Sequence, residues 1–142
     1  MNEDTELLNY IYQNAKMGIV GIDNIKKDIQ DNEFLKVIKE QENDYYEICT
    51  KALKWLSNYN VERKNITAMS KLMTFMDAKI KLTRDNSISN IAKMMIEGNN
   101  MGIIAITEKL NNYQGADKKI IKLAKDLLKI EERNLENLKK YL

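Results

Sequence analysis

Two carboxylates stand where the hydrophobic periodicity calls for apolar side chains. Glu42 interrupts the row Leu35, Ile38, Tyr45, Cys49, Ala52 and Leu56, and Glu131 interrupts the row Ile121, Ala124, Leu128, Leu135, Leu138 and Leu142. Both rows advance by threes and fours, the spacing of a single helical face. An unpaired carboxylate carried into a protein interior costs several kcal/mol, so an interior Glu42 or Glu131 needs something to neutralise or hydrogen-bond it. The candidates are the other carboxylate through a shared proton, Tyr45, an ion, or a lysine or tyrosine reached across the fold. The alternative is a side chain that curls to the helix edge and stays in water. The recognisable catalytic patterns are missing: the chain has no histidine, and its one cysteine, Cys49, lies on a buried row with no imidazole to activate the thiol. No phosphate-binding loop, serine-hydrolase elbow or dinucleotide fingerprint is present.

The elements that must position these residues are helical. The chain has 142 residues, 44% of them hydrophobic and 31% charged, with no proline, which suits one mostly helical domain that needs no disulfide or metal for stability. A formal net charge of +2 provides no concentrated basic surface for phosphates, so nucleic acid is not an expected partner. Lys118, Lys122, Lys125 and Lys129 form a basic stripe without interleaved aromatics, read as a solvated face. No run of about 18 apolar residues exists, so no membrane span is expected. The acidic, polar start and the lone cysteine point to a cytoplasmic protein.

Leu8, Ile11, Ala15, Gly18, Ile22, Ile25 and Ile29 mark a first helix from about Asp4, its expected N-cap, to about Gln30. Asp31-Asn32 breaks the pattern, and a second helix runs to about Ser57–Asn60. A shorter periodic segment at about 65–83 carries Ile66, Met69, Met73, Met76 and Ile80, after which Asp85-Asn86-Ser87 provides a fresh cap. A third long helix should run from about Ser87 to Tyr113, burying Ala92, Met95, Gly102 and Ile106. Gly115 and Asp117 then supply a C-cap and an N-cap for the last helix. The stretch Met17-Gly18-Ile19-Val20-Gly21-Ile22 recurs as Met101-Gly102-Ile103-Ile104-Ala105-Ile106, an offset of 84 residues (101 less 17). The chain therefore reads as a doubled helical hairpin, about 4–59 and about 87–142. The middle segment is long enough to run the length of a bundle whose helices span on the order of 40 Å.

An internally duplicated four-helix bundle with a long central crossover resembles the ferritin-like superfamily. The stretches Met17-Gly18-Ile19, Asp31-Asn32-Glu33-Phe34-Leu35, Met94 through Ile106 and Asp126 through Glu132 are similar to small uncharacterised bacterial bundle proteins of that superfamily. The resemblance implies an all-α fold of two antiparallel helical hairpins with an additional crossover helix. It also invites comparison with the family's di-metal sites, built from glutamates and Glu-x-x-His pairs. Here the residue three after Glu42 is Tyr45, and the residue three after Glu131 is Asn134. Glu97 on the third helix has Gln13 as its repeat equivalent on the first. A normal di-iron site is therefore not expected. A reduced site of Glu42, Glu97 and Glu131, with Gln13 and Tyr45 as neutral oxygen donors, would suit one divalent ion such as manganese, magnesium or iron.

Glycines inside helices cost up to about 1 kcal/mol each relative to alanine and need a reason. Close packing of the first and third helices at the repeated stretch is the expected one, with approach of a ligand near Gly98 and Gly102 as the alternative. The Ile66, Met69, Met73 and Met76 face reads either as core or as a surface for a protein partner or a second copy of the chain. Three functions follow: a non-catalytic bundle acting through protein contacts, a histidine-free carboxylate metal or redox protein, and a small-molecule binder between helices.

Overall fold

The computed structural model describes residues 2–59 and 86–142. They form four helices: α1 (Glu3–Lys26), α2 (Asn32–Asn58), α3 (Ile88–Asn112) and α4 (Lys118–Leu138), the last running into a 3-10 turn at Lys139–Tyr141. The described residues contain no strand. Three of the four starts follow the expected turn chemistry. Asp31 accepts a hydrogen bond from the Phe34 amide at 2.8 Å, Ser87 from the Asn90 amide at 3.2 Å, and Asp117 from the Lys119 amide at 2.9 Å. The first start differs: Asn2, not Asp4, caps α1, accepting from the Thr5 amide at 3.0 Å. Asp4 has another task. Its Oδ1 accepts from the Asp117 amide at 2.7 Å and its Oδ2 from the Tyr59 hydroxyl at 3.0 Å, tying the start of α1 to the end of α2 and the start of α4. The α3–α4 turn closes through the Tyr113 amide on Lys109, with Gly115 beside the Glu3 carboxylate, so Tyr113 takes the C-cap position expected of Gly115.

Helix directions follow from these contacts. The ring of Tyr10 near the start of α1 lies 6.0 Å from that of Tyr113 at the end of α3, and midway along both helices the Asn14 amide donates to the Gly102 carbonyl at 3.1 Å. At the opposite end Phe34 of α2 meets Tyr141 beyond α4, with ring centroids 4.7 Å apart. So α1 and α4 run one way, α2 and α3 the other, and α2 ends at the end of the bundle opposite to where α3 begins. The segment expected to carry the crossover helix, with its Ile66, Met69, Met73 and Met76 face, lies outside the described residues.

The core is aliphatic from end to end, with Leu7, Leu8, Ile11, Phe34, Ile38, Leu56, Ile106, Ile120 and Leu127 all buried. On α4 the expected row holds at Ala124, Glu131 and Leu138 and is displaced by one residue at Ile121, Leu128 and Leu135. The buried side chains are Ile120, Leu123, Ala124, Leu127, Glu131, Asn134 and Leu138, while Ile121, Leu128 and Leu135 sit half-buried at the edge and Leu142 is exposed. Apolar residues stand in adjacent pairs on this helix. Since one residue turns the helix by only about 100°, either member can head the row, and packing chooses between them.

Candidate functional site

The repeated glycines place the two side chains that matter most. Gly102 meets α1 through its carbonyl, which accepts from Asn14, but the hydrogen that each glycine bears in place of a Cβ faces the second helix of its own hairpin. A Cβ added at Gly18 would lie 2.7 Å from ring carbons of Tyr45 on α2, and one added at Gly102 would lie 2.5 Å from Oε1 of Glu131 on α4. Removing the Cβ therefore makes room for a ring in one half of the molecule and for a carboxyl in the other. Gly98 is different, for among the described residues nothing lies within 4 Å of the position its Cβ would take.

That open space is part of a cavity of about 310 Å³ between α1 and α3. Its walls include Met17 and Ile22 from α1 and Met94, Met95, Met101 and Ile106 from α3. Its floor includes Gln41 and Tyr45 from α2, Asn99 from α3 and Glu131 from α4, and Lys109 and Tyr10 stand at one end. The Lys109 ammonium lies 4.0 Å above the centre of the Tyr10 ring, a cation–π contact.

The floor is polar. Glu131 is only 2% exposed, and its Oε2 has no hydrogen-bond partner among the described residues; the same is true of both side-chain polar atoms of Gln41 and of the amide nitrogens of Asn99 and Asn134. Native interiors leave few such atoms, and the usual remedy is an ordered water or a bound ligand. Burial pushes the Glu131 carboxyl up to about 9, so it is held as the neutral acid at pH 7. The Tyr45 hydroxyl donates to Asn99 Oδ1 at 3.1 Å. Burial raises this phenol well above its ordinary range and the Glu131 charge adds to the effect, while the amide of Asn134, close but outside hydrogen-bonding geometry, works against it. Tyr45 is thus a permanent neutral donor, and its oxygen keeps an acceptor lone pair.

Of the sequence-derived ligand set, Glu131, Tyr45 and Gln13 border this cavity. Glu42 does not. It lies between α1 and α2, where Lys26 donates to its two carboxylate oxygens at 3.3 and 3.1 Å and also pairs with Asp23 at 3.0 Å. Burial and the neighbouring Asp23 raise the Glu42 carboxyl above its ordinary value while Lys26 opposes them. Asp23, despite partial burial, is held below its own by hydrogen bonds involving Lys26 and Glu42. Here the cross-helix lysine is the partner that the buried carboxylate needed. Glu97 is half-buried on α3 and has an interaction of its own. Among the described residues no group of three or more His, Cys, Asp or Glu side chains is placed to hold a metal ion, so Glu42, Glu97 and Glu131 are not brought together. Among those residues no helix is long and apolar enough to cross a membrane.

Two floor residues carried no weight in the sequence. Gln41 and Asn99 are buried amides; Asn134, buried at the third place after Glu131, does not border the cavity. The available signal was a polar side chain in or beside an apolar helical row, the same one that marked Glu42 and Glu131. No family model, curated protein or solved structure matches the chain.

Proposed function

We propose that this protein binds a small, largely apolar molecule in the cavity between α1 and α3. The observation that carries the proposal is the pairing of apolar, methionine-rich walls with a floor of buried polar atoms that lack partners. A few polar groups at the base of an apolar cleft is the usual composition of a ligand pocket, and about 310 Å³ is at the small end of the usual range. Methionine side chains adapt to differently shaped guests. The opposed directions of α1 and α3, and of α2 and α4, support a ferritin-like scaffold whose interior has been turned from metal ligation to this use.

Gly98 provides the test. Because its Cβ would project into open space, Gly98→Leu should fill the cavity without disturbing the core. Octanol should raise the melting temperature of the parent protein and leave that of Gly98→Leu unchanged. Equal shifts in the two proteins, or none in the parent, would overturn the reading.

One observation favours a second reading, a non-catalytic bundle that works through protein contacts: Ile104 of α3 is 59% exposed, and Met101, at the edge of the cavity, is 46% exposed. If that face joins two copies, light scattering should give a dimer mass that Ile104→Lys reduces to a monomer. A monomer at high concentration removes self-association.

A further inference from the structure

We infer that the ligand class is a lipophilic ammonium ion: a compact cationic nitrogen seated against Glu131 and carrying an apolar chain or ring along the methionine walls. This rests on the cavity being a ligand site, and deepens that reading.

Among the described residues Glu131 is the one carboxylate bordering the cavity, and no cation of those residues is paired with it. Among the described residues the lysine that satisfies Glu42 has no counterpart here. The charged and titratable groups facing the cavity are Tyr10 from α1, Tyr45 from α2, Lys109 from α3 and Glu131 from α4. Lys109 is two helical turns from Gly102, the residue in contact with Glu131, which is about 10 Å along the axis, and its ammonium rests on the Tyr10 ring. The floor therefore offers a carboxyl without its counter-ion.

An ammonium nitrogen has up to three donors and no acceptor. The floor holds acceptors of the matching kind in the Glu131 carboxyl oxygens, Gln41 Oε1 and the Tyr45 oxygen, whose proton is already committed to Asn99. A carboxylate-bearing ligand would leave Glu131 protonated and could meet only that proton and the unpartnered amide nitrogens of Gln41 and Asn99, so it forms no ion pair at the floor. The neutral acid gives its proton to solvent as the cation enters, and the resulting ion pair forms at a carboxyl that is itself only 2% exposed, beside apolar walls. Room for the rest is limited. At the ~30 Å³ that a water molecule occupies, the cavity takes on the order of ten non-hydrogen atoms, about the size of an eight-carbon amine.

The experiment compares one chain with three heads: octylammonium, octanol and octanoate, titrated calorimetrically at pH 7 into the parent and into Glu131→Gln. The expected result for the parent is octylammonium binding at least about tenfold tighter than either octanol or octanoate, and a binding enthalpy that differs between phosphate and Tris buffers because a proton is released. In Glu131→Gln the ammonium preference and the buffer dependence should both vanish while octanol still binds. Octanol binding as tightly as octylammonium to the parent, or the preference surviving in Glu131→Gln, would overturn the ligand class and leave the cavity reading standing. Failure of all three to bind the parent would remove both.

Discussion

The two halves of this chain solve the same packing problem with different chemistry. Gly18 and Gly102 are repeat equivalents, and each faces a side chain from the second helix of its own hairpin, Tyr45 in one case and Glu131 in the other. The phenol finishes its hydrogen bonding across the bundle on Asn99. The carboxyl does not, and the repeat offers a reason: the first-half equivalent of Asn99, 84 positions earlier, is Ala15, which has no side-chain donor or acceptor to return. One half is closed by a satisfied neutral group, while the other keeps a group whose partner must come from outside. The difference shows that a duplicated scaffold can hold its shape while a single site loses its internal partner.

The largest test of that contrast is in pH. A carboxyl raised from its ordinary value to about 9 in the folded protein holds a proton that the unfolded chain releases near its ordinary pKa, so native protein binds more protons than unfolded protein between those limits. Folding stability should therefore be highest in this respect below about pH 5 and fall as pH rises toward 9, by on the order of a few kcal/mol. Urea unfolding at a series of pH values should show the fall in the parent and a clearly shallower profile in Glu131→Gln, in which the Glu42, Asp23 and Lys26 cluster still titrates. Tyr45→Phe should keep the parent slope, because the phenol stays neutral throughout. A Glu131→Gln profile as steep as the parent's would place the coupling elsewhere.

A smaller effect separates the glycines. Gly18→Ala drives a methyl group into the buried, hydrogen-bonded Tyr45 ring and should cost about 1–3 kcal/mol in denaturant unfolding. Gly102→Ala meets the end of a side chain that can swing aside, so it should cost less and disturb octylammonium binding more than stability. Gly98→Ala meets open space and should stabilise α3 by up to about 1 kcal/mol. If all three alanines behave alike, the glycines do not divide into the two roles described.

Much of this fold was legible in the chain because each helix carries a regular apolar row and begins at an N-cap side chain; Asp31, Ser87 and Asp117 mark three starts directly. The rotation of α4 was not legible, since its apolar residues come in adjacent pairs and only packing decides which member turns inward. The site was half legible. Glu131 stood out as a charge in an apolar row, and it is the floor of the cavity. Glu42 stood out equally, yet Lys26 reaches it from the neighbouring helix, a contact that depends on where two helices cross and that no spacing within either one encodes. Asn99 and Gln41 escaped notice because an amide in a helix is usually at the surface, and their burial follows from assembly of all four helices.

The internal repeat has a consequence that concerns symmetry more than packing. Two identical hairpins meeting about a twofold axis would present every interior group twice. A glutamate at this position in both halves would put two acids into one interior, where only one could ionise without severe repulsion. Covalent fusion of the halves removes that obligation, because each can then vary alone. Tyrosine on one side lets the opposite carboxyl exist as a single copy, so one chain offers one acid and one place for a cationic guest.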